Sequence, residues 1–228
     1  MFLSLFEKHL MYLPRAHAWS GESSMWDHID QHPLGAWVCT TNEGLIANHI
    51  PFVLDRETGV QGRLLGHVSK ANSVWQALEK GASCVVMFMG PQAYITPAWY
   101  PGKQAHGKVV PTWNYLTVHV HGIAQARHQA DWKLKMLQRL TDAQEASRPT
   151  PWQVSDAPSE YLHRLLGGIV GIEISIEQVQ GKRKLSQDED LADRLGTVCG
   201  LMHEGDCVAQ TLAAWMKSSL GGGNNSLC

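Results

Sequence analysis

Seven consecutive residues, Gly66-His67-Val68-Ser69-Lys70-Ala71-Asn72, set a strand end, a hydroxyl, an ammonium and a helix start side by side. Free backbone N–H groups at such a start, the Ser69 hydroxyl and the Lys70 ammonium together suit a phosphate dianion. The plainer reading is that Ser69 and Asn72 cap a helix while Lys70 stays solvated. A second combination, Thr112-Trp113-Asn114-Tyr115, joins flat apolar surface to amide and hydroxyl groups. That mixture holds a planar heteroaromatic ring without a covalent bond, with Asn114 as the candidate hydrogen-bonding side chain. Packing in a core or a subunit interface is the alternative for both rings.

Lys182, Arg183 and Lys184 are the dense basic cluster. Read plainly it is a solvated turn after a strand, and it is also the one feature that offers a contact to DNA. Two spacings resemble metal ligands: His119 with His121 on one strand face, and Cys199, His203 and Cys207 at intervals of four. The first pair lacks a third ligand, and Gly200 and Gly205 interrupt the second array, so no metal is assigned. Neither a Ser-His-Asp arrangement nor a paired-carboxylate motif can be inferred, and the catalytic residues stay unknown. No G-x-G-x-x-G or P-loop spacing occurs.

The chain that must position these groups has 228 residues, 44% hydrophobic and 18% charged, which excludes disorder and gives enough length for a substantial core. Its apolar stretches fall short of the roughly 20 residues that span a bilayer. A formal net charge of −2 supplies no overall attraction for nucleic acid or anionic lipid. The cysteines, Cys39, Cys84, Cys199, Cys207 and Cys228, are widely spread, and we expect reduced thiols in a cytoplasmic protein. Glu7, Lys8 and His9 break the apolar start, so no signal peptide is expected, and Met11 offers a second start after a ten-residue extension.

Patterning predicts a short helix over 23–32, then hairpins from 35–41 with 45–50 around residues 42–44, and from 51–55 with 60–68 around residues 56–59. A short helix over 72–80 and a buried strand over 82–89 follow. Residues 90–111 read as an ordered functional loop carrying Tyr94, Trp99 and Tyr100. Alternation over 113–121 predicts a strand with one polar face. A helix over 129–146 presents Trp132, Met136, Leu137 and Leu140 to an apolar surface, with Lys133, Lys135 and Arg139 on its other faces. A helix at 159–166, a strand in which Ile172, Ile174 and Ile176 alternate with Glu173, Ser175 and Glu177 and which ends near 179, and helices over 188–202 and 207–217 complete the chain. Residues 218–228 should be a mobile tail. Six or seven strands with two hairpins predict a mainly β, antiparallel sheet or small barrel with peripheral helices.

Four runs, Gly66 to Asn72, Tyr94-Ile95-Thr96-Pro97-Ala98-Trp99-Tyr100, Val110-Pro111-Thr112-Trp113-Asn114-Tyr115 and Lys184-Leu185-Ser186-Gln187, closely resemble the PaiB family of FMN-binding negative transcriptional regulators, in matching order from about Met11 to about Trp215. Lys70, Ser73 and Asp188 depart from the family's usual Arg, Pro and Asn. The resemblance implies an antiparallel split β-barrel of the pyridoxamine-phosphate-oxidase-like type over residues 11–217, a homodimer, and FMN in a cleft between subunits. It assigns Gly66, His67, Val68, Ser69, Lys70 and Asn72 to the phosphate. Asn48, His49 and Ile50 run beside the isoalloxazine ring, where His49 is a candidate donor. Thr112, Trp113, Asn114 and Tyr115 also serve the flavin, and Lys184, Ser186 and Gln187 reach the flavin or its phosphate. A negative regulatory role follows from the family. The alternatives are a flavin oxidoreductase fed by NAD(P)H or a small organic donor, and a flavin or ligand sensor without turnover.

Overall fold

Residues of alternating polarity pair into the strands β1 (Leu34–Thr41), β2 (Gly44–Pro51), β3 (Val53–Asp55), β4 (Arg63–Ser69), β5 (Ala82–Ile95), β6 (Thr112–Arg127) and β7 (Ile169–Lys184) in a computed structural model that describes residues 11–220. They form one sheet in the order β2-β1-β5-β6-β7-β4-β3. The pairings of β1 with β2 and β5, and of β4 with β3 and β7, are antiparallel. Among the described residues six α-helices accompany the strands: α1 (Glu22–Gln31), α2 (Gly102–Ala105), α3 (Ala130–Glu145), α4 (Ser159–Gly167), α5 (Leu191–His203) and α6 (Cys207–Ser218). This is the mainly β, antiparallel class expected from patterning. The expected ten-residue extension and most of the expected tail lie outside the described residues.

Contacts divide the chain into two units. The first holds residues 22–88 and 118–179, the second residues 11–21, 89–117 and 180–220, and β5, β6 and β7 continue from one into the other. In the first unit Trp37, Phe52, Leu64, Leu78, Phe88, Met136, Ile172 and Ile174 are buried, with the Phe52 and Phe88 rings edge to face at 6.2 Å. In the second, Trp19, Ile95, Leu116, Leu185, Leu201, Leu212 and Met216 are buried, and Trp19 meets Trp215 edge to face at 5.4 Å.

Three strands outrun their expected limits. Gly90 and Pro91 read as the opening of a loop, yet β5 continues to Ile95. Its inward-facing positions slip by one residue here, from Phe88 to Pro91, the kind of local irregularity at which a strand accepts glycine and proline. The loop is thereby shortened and structured, with a 3-10 turn at Pro97–Trp99 and α2. β6 reaches Arg127 and β7 reaches Lys184, so the basic run belongs to a strand rather than a turn after one. The first hairpin closes through Asn42 and Glu43, with Thr41 opposite Gly44 at φ +112°. The helix expected over 72–80 is a 3-10 helix, Ser73–Leu78, where the Asn72 carboxamide oxygen accepts from the Val74 N–H at 3.1 Å.

Two charged residues that the pattern set apart from the apolar positions are buried. Lys133 of α3 is one, and Glu173 of β7 is the other. Glu173 accepts at one oxygen from Arg63 and Arg127, both at 2.8 Å, and at the other from the Trp132 indole N–H at 3.2 Å. Amphipathic patterning set these residues apart because it does not register partners supplied from distant segments. Cys39 and Cys84 face each other across β1 and β5 as buried free thiols, and burial is the largest effect in raising the Cys84 pKa to about 12. Cys207 is free and exposed. Cys199 is disulfide-bonded, which corrects the expectation of a reduced thiol there; composition does not fix the state of any one cysteine.

In α1 the buried His28 donates through Nε2 to the Phe88 carbonyl oxygen at 3.2 Å, with the His32 ring 4.6 Å away between centroids. Burial first, then the His32 charge, lowers the His28 pKa from 6.5 to about 4, against the raising effect of the carbonyl. Burial lowers His32 as well. Between pH 6.5 and 4 the unfolded chain therefore binds protons that the folded chain refuses. Stability from His28 is full above the unfolded pKa and declines as pH falls through this window, by about 3 kcal/mol at most. Urea titrations across the window should show that decline, and His28→Gln should flatten it.

Candidate functional site

In the first unit the end of β2 meets β4. Gly66 lies so close that an added Cβ would stand 3.0 Å from the Pro51 carbonyl oxygen and 3.3 Å from the Ile50 side chain. Beyond it, the Asn72 amide donates to the Asn48 carboxamide oxygen at 2.7 Å. Asn48, Ile50, Gly66 and Asn72, singled out separately, are thus brought together. His49 is exposed, Val68 is buried, and Ser69 and Lys70 are exposed at the strand end. His67 is half-buried and burial lowers its pKa.

The turn after β4 departs from expectation in its backbone. The Lys70 N–H donates to the Gly168 carbonyl oxygen at 2.8 Å, the Ala71 N–H to Ser69 Oγ at 3.3 Å, and the Asn72 N–H to the Ser69 carbonyl oxygen at 2.9 Å. These three donors are spent, and the helix that follows is only six residues long, so a helix-terminus anion site does not form here. What this turn offers a phosphate is the Ser69 hydroxyl hydrogen and the Lys70 ammonium. Nearby, Asn48 Nδ2 and His67 Nδ1 are buried without hydrogen-bond partners. Capping by Asn72 and presentation of Ser69 and Lys70 hold at once; the two readings of the motif are not exclusive.

In the second unit a second group gathers. Asn114 is fully buried and donates to Ser186 Oγ at 2.8 Å and to the Met216 sulfur at 3.6 Å, while its Oδ1 is buried without a partner. Ser186 holds φ +57°, in the left-handed region. Lys184 Nζ donates to Thr112 Oγ1. Gln187 accepts from the Leu185 N–H at 2.7 Å and donates to the Arg183 carbonyl oxygen. Asn114, Ser186 and Gln187 therefore brace the strand ends internally. Thr112, Trp113, Tyr115 and Lys184 keep some exposure.

The rings of the former loop take distinct places. Trp113 donates to Gln92 Oε1 at 3.1 Å and meets the half-exposed Tyr94 edge to face at 6.2 Å. Trp99 packs on α5 of its own chain against Gly196 and Gly200. The Asp193 carboxylate accepts from the Gly102 N–H at 2.8 Å, and Tyr100 is buried, with its phenol pKa raised by burial and then by the Glu189 charge.

The basic run is fully engaged. Lys182 Nζ lies 5.4 Å from the Tyr12 ring and 5.5 Å from the Tyr115 ring and donates to the Tyr12 carbonyl oxygen at 3.2 Å. The Arg183 guanidinium stands 5.3 Å over the Trp19 ring, and burial lowers its pKa. Among the described residues no group of three or more His, Cys, Asp and Glu side chains is placed to hold a metal. His119 and His121 have ring centroids 6.4 Å apart. No described helix is long and apolar enough to cross a membrane.

Comparison with known proteins gives this geometry a lineage. A protein of Emericella nidulans, "Uncharacterized protein AN0679", is 34% identical over 89% of this chain and 95% of its own length. The "Protease synthase and sporulation protein PAI 2" of Bacillus subtilis is 29% identical over 92% of this chain and 98% of its own. Among solved structures, the FAD and heme binding protein from Mycobacterium smegmatis matches with a TM-score of 0.56 at 17% identity, covering 83% of this chain and 80% of that one, a likeness of fold. The family model described as "Putative FMN-binding domain" matches residues 11–178. The resemblance drawn from the four motifs and the split-barrel class are thereby borne out, and the chain belongs to this FMN-binding family.

Proposed function

We propose that this chain binds FMN, with the phosphate held in the first unit. Ser69 and Lys70 take the phosphate side; Asn48, which the resemblance set beside the ring, joins this side through its bond to Asn72, and His67 lies two residues before Ser69 on β4. In the second unit Thr112, Trp113, Tyr115 and Lys184 form a separate candidate surface for a flavin ring. The observation that carries the reading is the pairing of an exposed hydroxyl and ammonium at the end of β4 with two buried, unpaired polar atoms, Asn48 Nδ2 and His67 Nδ1. Unspent capacity of that kind is what a polar ligand satisfies. Bound flavin would supply one- and two-electron redox chemistry, and the residues bind and orient it.

We further propose a homodimer. The exposed Met89, Tyr94, Val110 and Trp113 are apolar surface of the kind that a second subunit covers. A regulatory role rests on the PaiB resemblance. DNA contact through Lys182 or Lys184 draws no support from the geometry, since rings, a carbonyl and a hydroxyl already occupy these cations.

Titration with FMN and with riboflavin tests the assignment. The wild type should prefer FMN, and Lys70→Ala should lower FMN affinity about tenfold, the scale of one charge-assisted contact, with riboflavin affinity unchanged. Equal binding of both ligands by the wild type would overturn the phosphate assignment. Sedimentation of the same samples should give two copies per particle.

A further inference from the structure

We propose that Lys133 is a positioning residue for the phosphate side of the site: from α3 it holds the Leu166–Ile169 turn, and the backbone of Ser69 and Lys70 hangs on that turn. The inference rests on the FMN reading above. Lys133 is 7% exposed, yet it carries an ammonium. Its Nζ donates to the Leu166 carbonyl oxygen at 2.5 Å and to the Ile169 carbonyl oxygen at 3.2 Å. Leu166 belongs to the last turn of α4, whose carbonyls lack intrahelical partners and favour a cation. Ile169 is the first residue of β7.

Between them lies Gly168, whose carbonyl oxygen accepts from the Lys70 N–H at 2.8 Å, while Ser69 stands opposite Ile169 in the β4–β7 register. One short turn is therefore gripped by Lys133 and grips Ser69 and Lys70 in its own turn. A buried ammonium is a costly way to fill space, since an apolar side chain of similar length needs no compensating partners. Its two carbonyl bonds fix the direction of the turn as packing alone would not. Burial first, and then the charge of Lys70, lowers the Lys133 pKa, so the two ammoniums act on each other across this turn. A dianion held by Ser69 and Lys70 would relieve that repulsion.

The test reads the ratio of FMN to riboflavin affinity, which only the phosphate moves. Lys133→Met removes both carbonyl bonds, and the ratio should fall about tenfold while riboflavin affinity stays within about threefold. Lys133→Gln keeps an N–H donor and should recover part of the ratio. If the Met variant does not fold, the Gln variant decides by the same ratio, which must still lie below the wild type. A wild-type ratio in the folded variants, or a proportional loss of both ligands, would overturn the positioning role and leave the FMN reading intact. A wild type without any FMN preference would overturn that reading and this inference with it.

Discussion

Glu173→Ala should lower the free energy of unfolding by about 3–5 kcal/mol, the range for removing one partner of a buried ion pair. The carboxylate is 5% exposed and serves three donors from three separate segments: Arg63 in β4, Arg127 in β6 and Trp132 in α3. Its loss strands two guanidiniums and an indole N–H together. Each arginine side chain is 32% exposed, so water can reach part of the stranded charge, which favours the lower end of the range. Arg127 also keeps Gln125 Oε1 at 2.9 Å. Urea denaturation should show a lowered midpoint at an unchanged slope. Glu173→Gln, which retains acceptor oxygen but not charge, should cost less than the alanine variant. A loss below about 1 kcal/mol for Glu173→Ala would place this network among solvated surface pairs.

Gly196→Ala should also destabilise, by about 2–4 kcal/mol, although helix propensity alone favours the change by roughly 1 kcal/mol. The sign turns on geometry. The added methyl would stand 2.0 Å from the Trp99 carbonyl oxygen, a backbone atom with little freedom to yield. At Gly200, one turn further along α5, it would stand 2.2 Å from the Trp99 indole ring. The two glycines form the floor on which the 97–99 turn rests, so either α5 or that turn must move. Thermal and urea unfolding of Gly196→Ala would check the loss, and a gain in stability would show that the Trp99 backbone shifts freely.

The parts of the fold that rest on local pattern were legible in the residues. The first hairpin, α3, α6 and the buried alternation of Asn114, Leu116, Val118 and Val120 all follow from spacing. The misread positions share one cause: a partner far away in sequence. Glu173 lies 110 residues from Arg63, and Lys133 lies 33 from Leu166, so neither could be told from an ordinary solvated charge. The strand run through Gly90 and Pro91 was hidden for a related reason, because those residue types signal loops unless a neighbouring strand holds them. At the site, the motifs led to Ser69, Lys70 and Asn72, but the bond that occupies the Lys70 N–H comes from Gly168, far along the chain, and nothing local announces it; the Ala71 and Asn72 N–H groups are occupied locally by Ser69.

Ser186 ties two positions together. Its φ of +57° costs an L-residue roughly 1–2 kcal/mol that glycine would avoid. Exchange to glycine would relieve that cost and, in the same step, deprive the Asn114 amide of its hydroxyl acceptor at 2.8 Å. The Asn114 amide would then keep only the Met216 sulfur at 3.6 Å, so an exchange at position 186 changes what position 114 must satisfy.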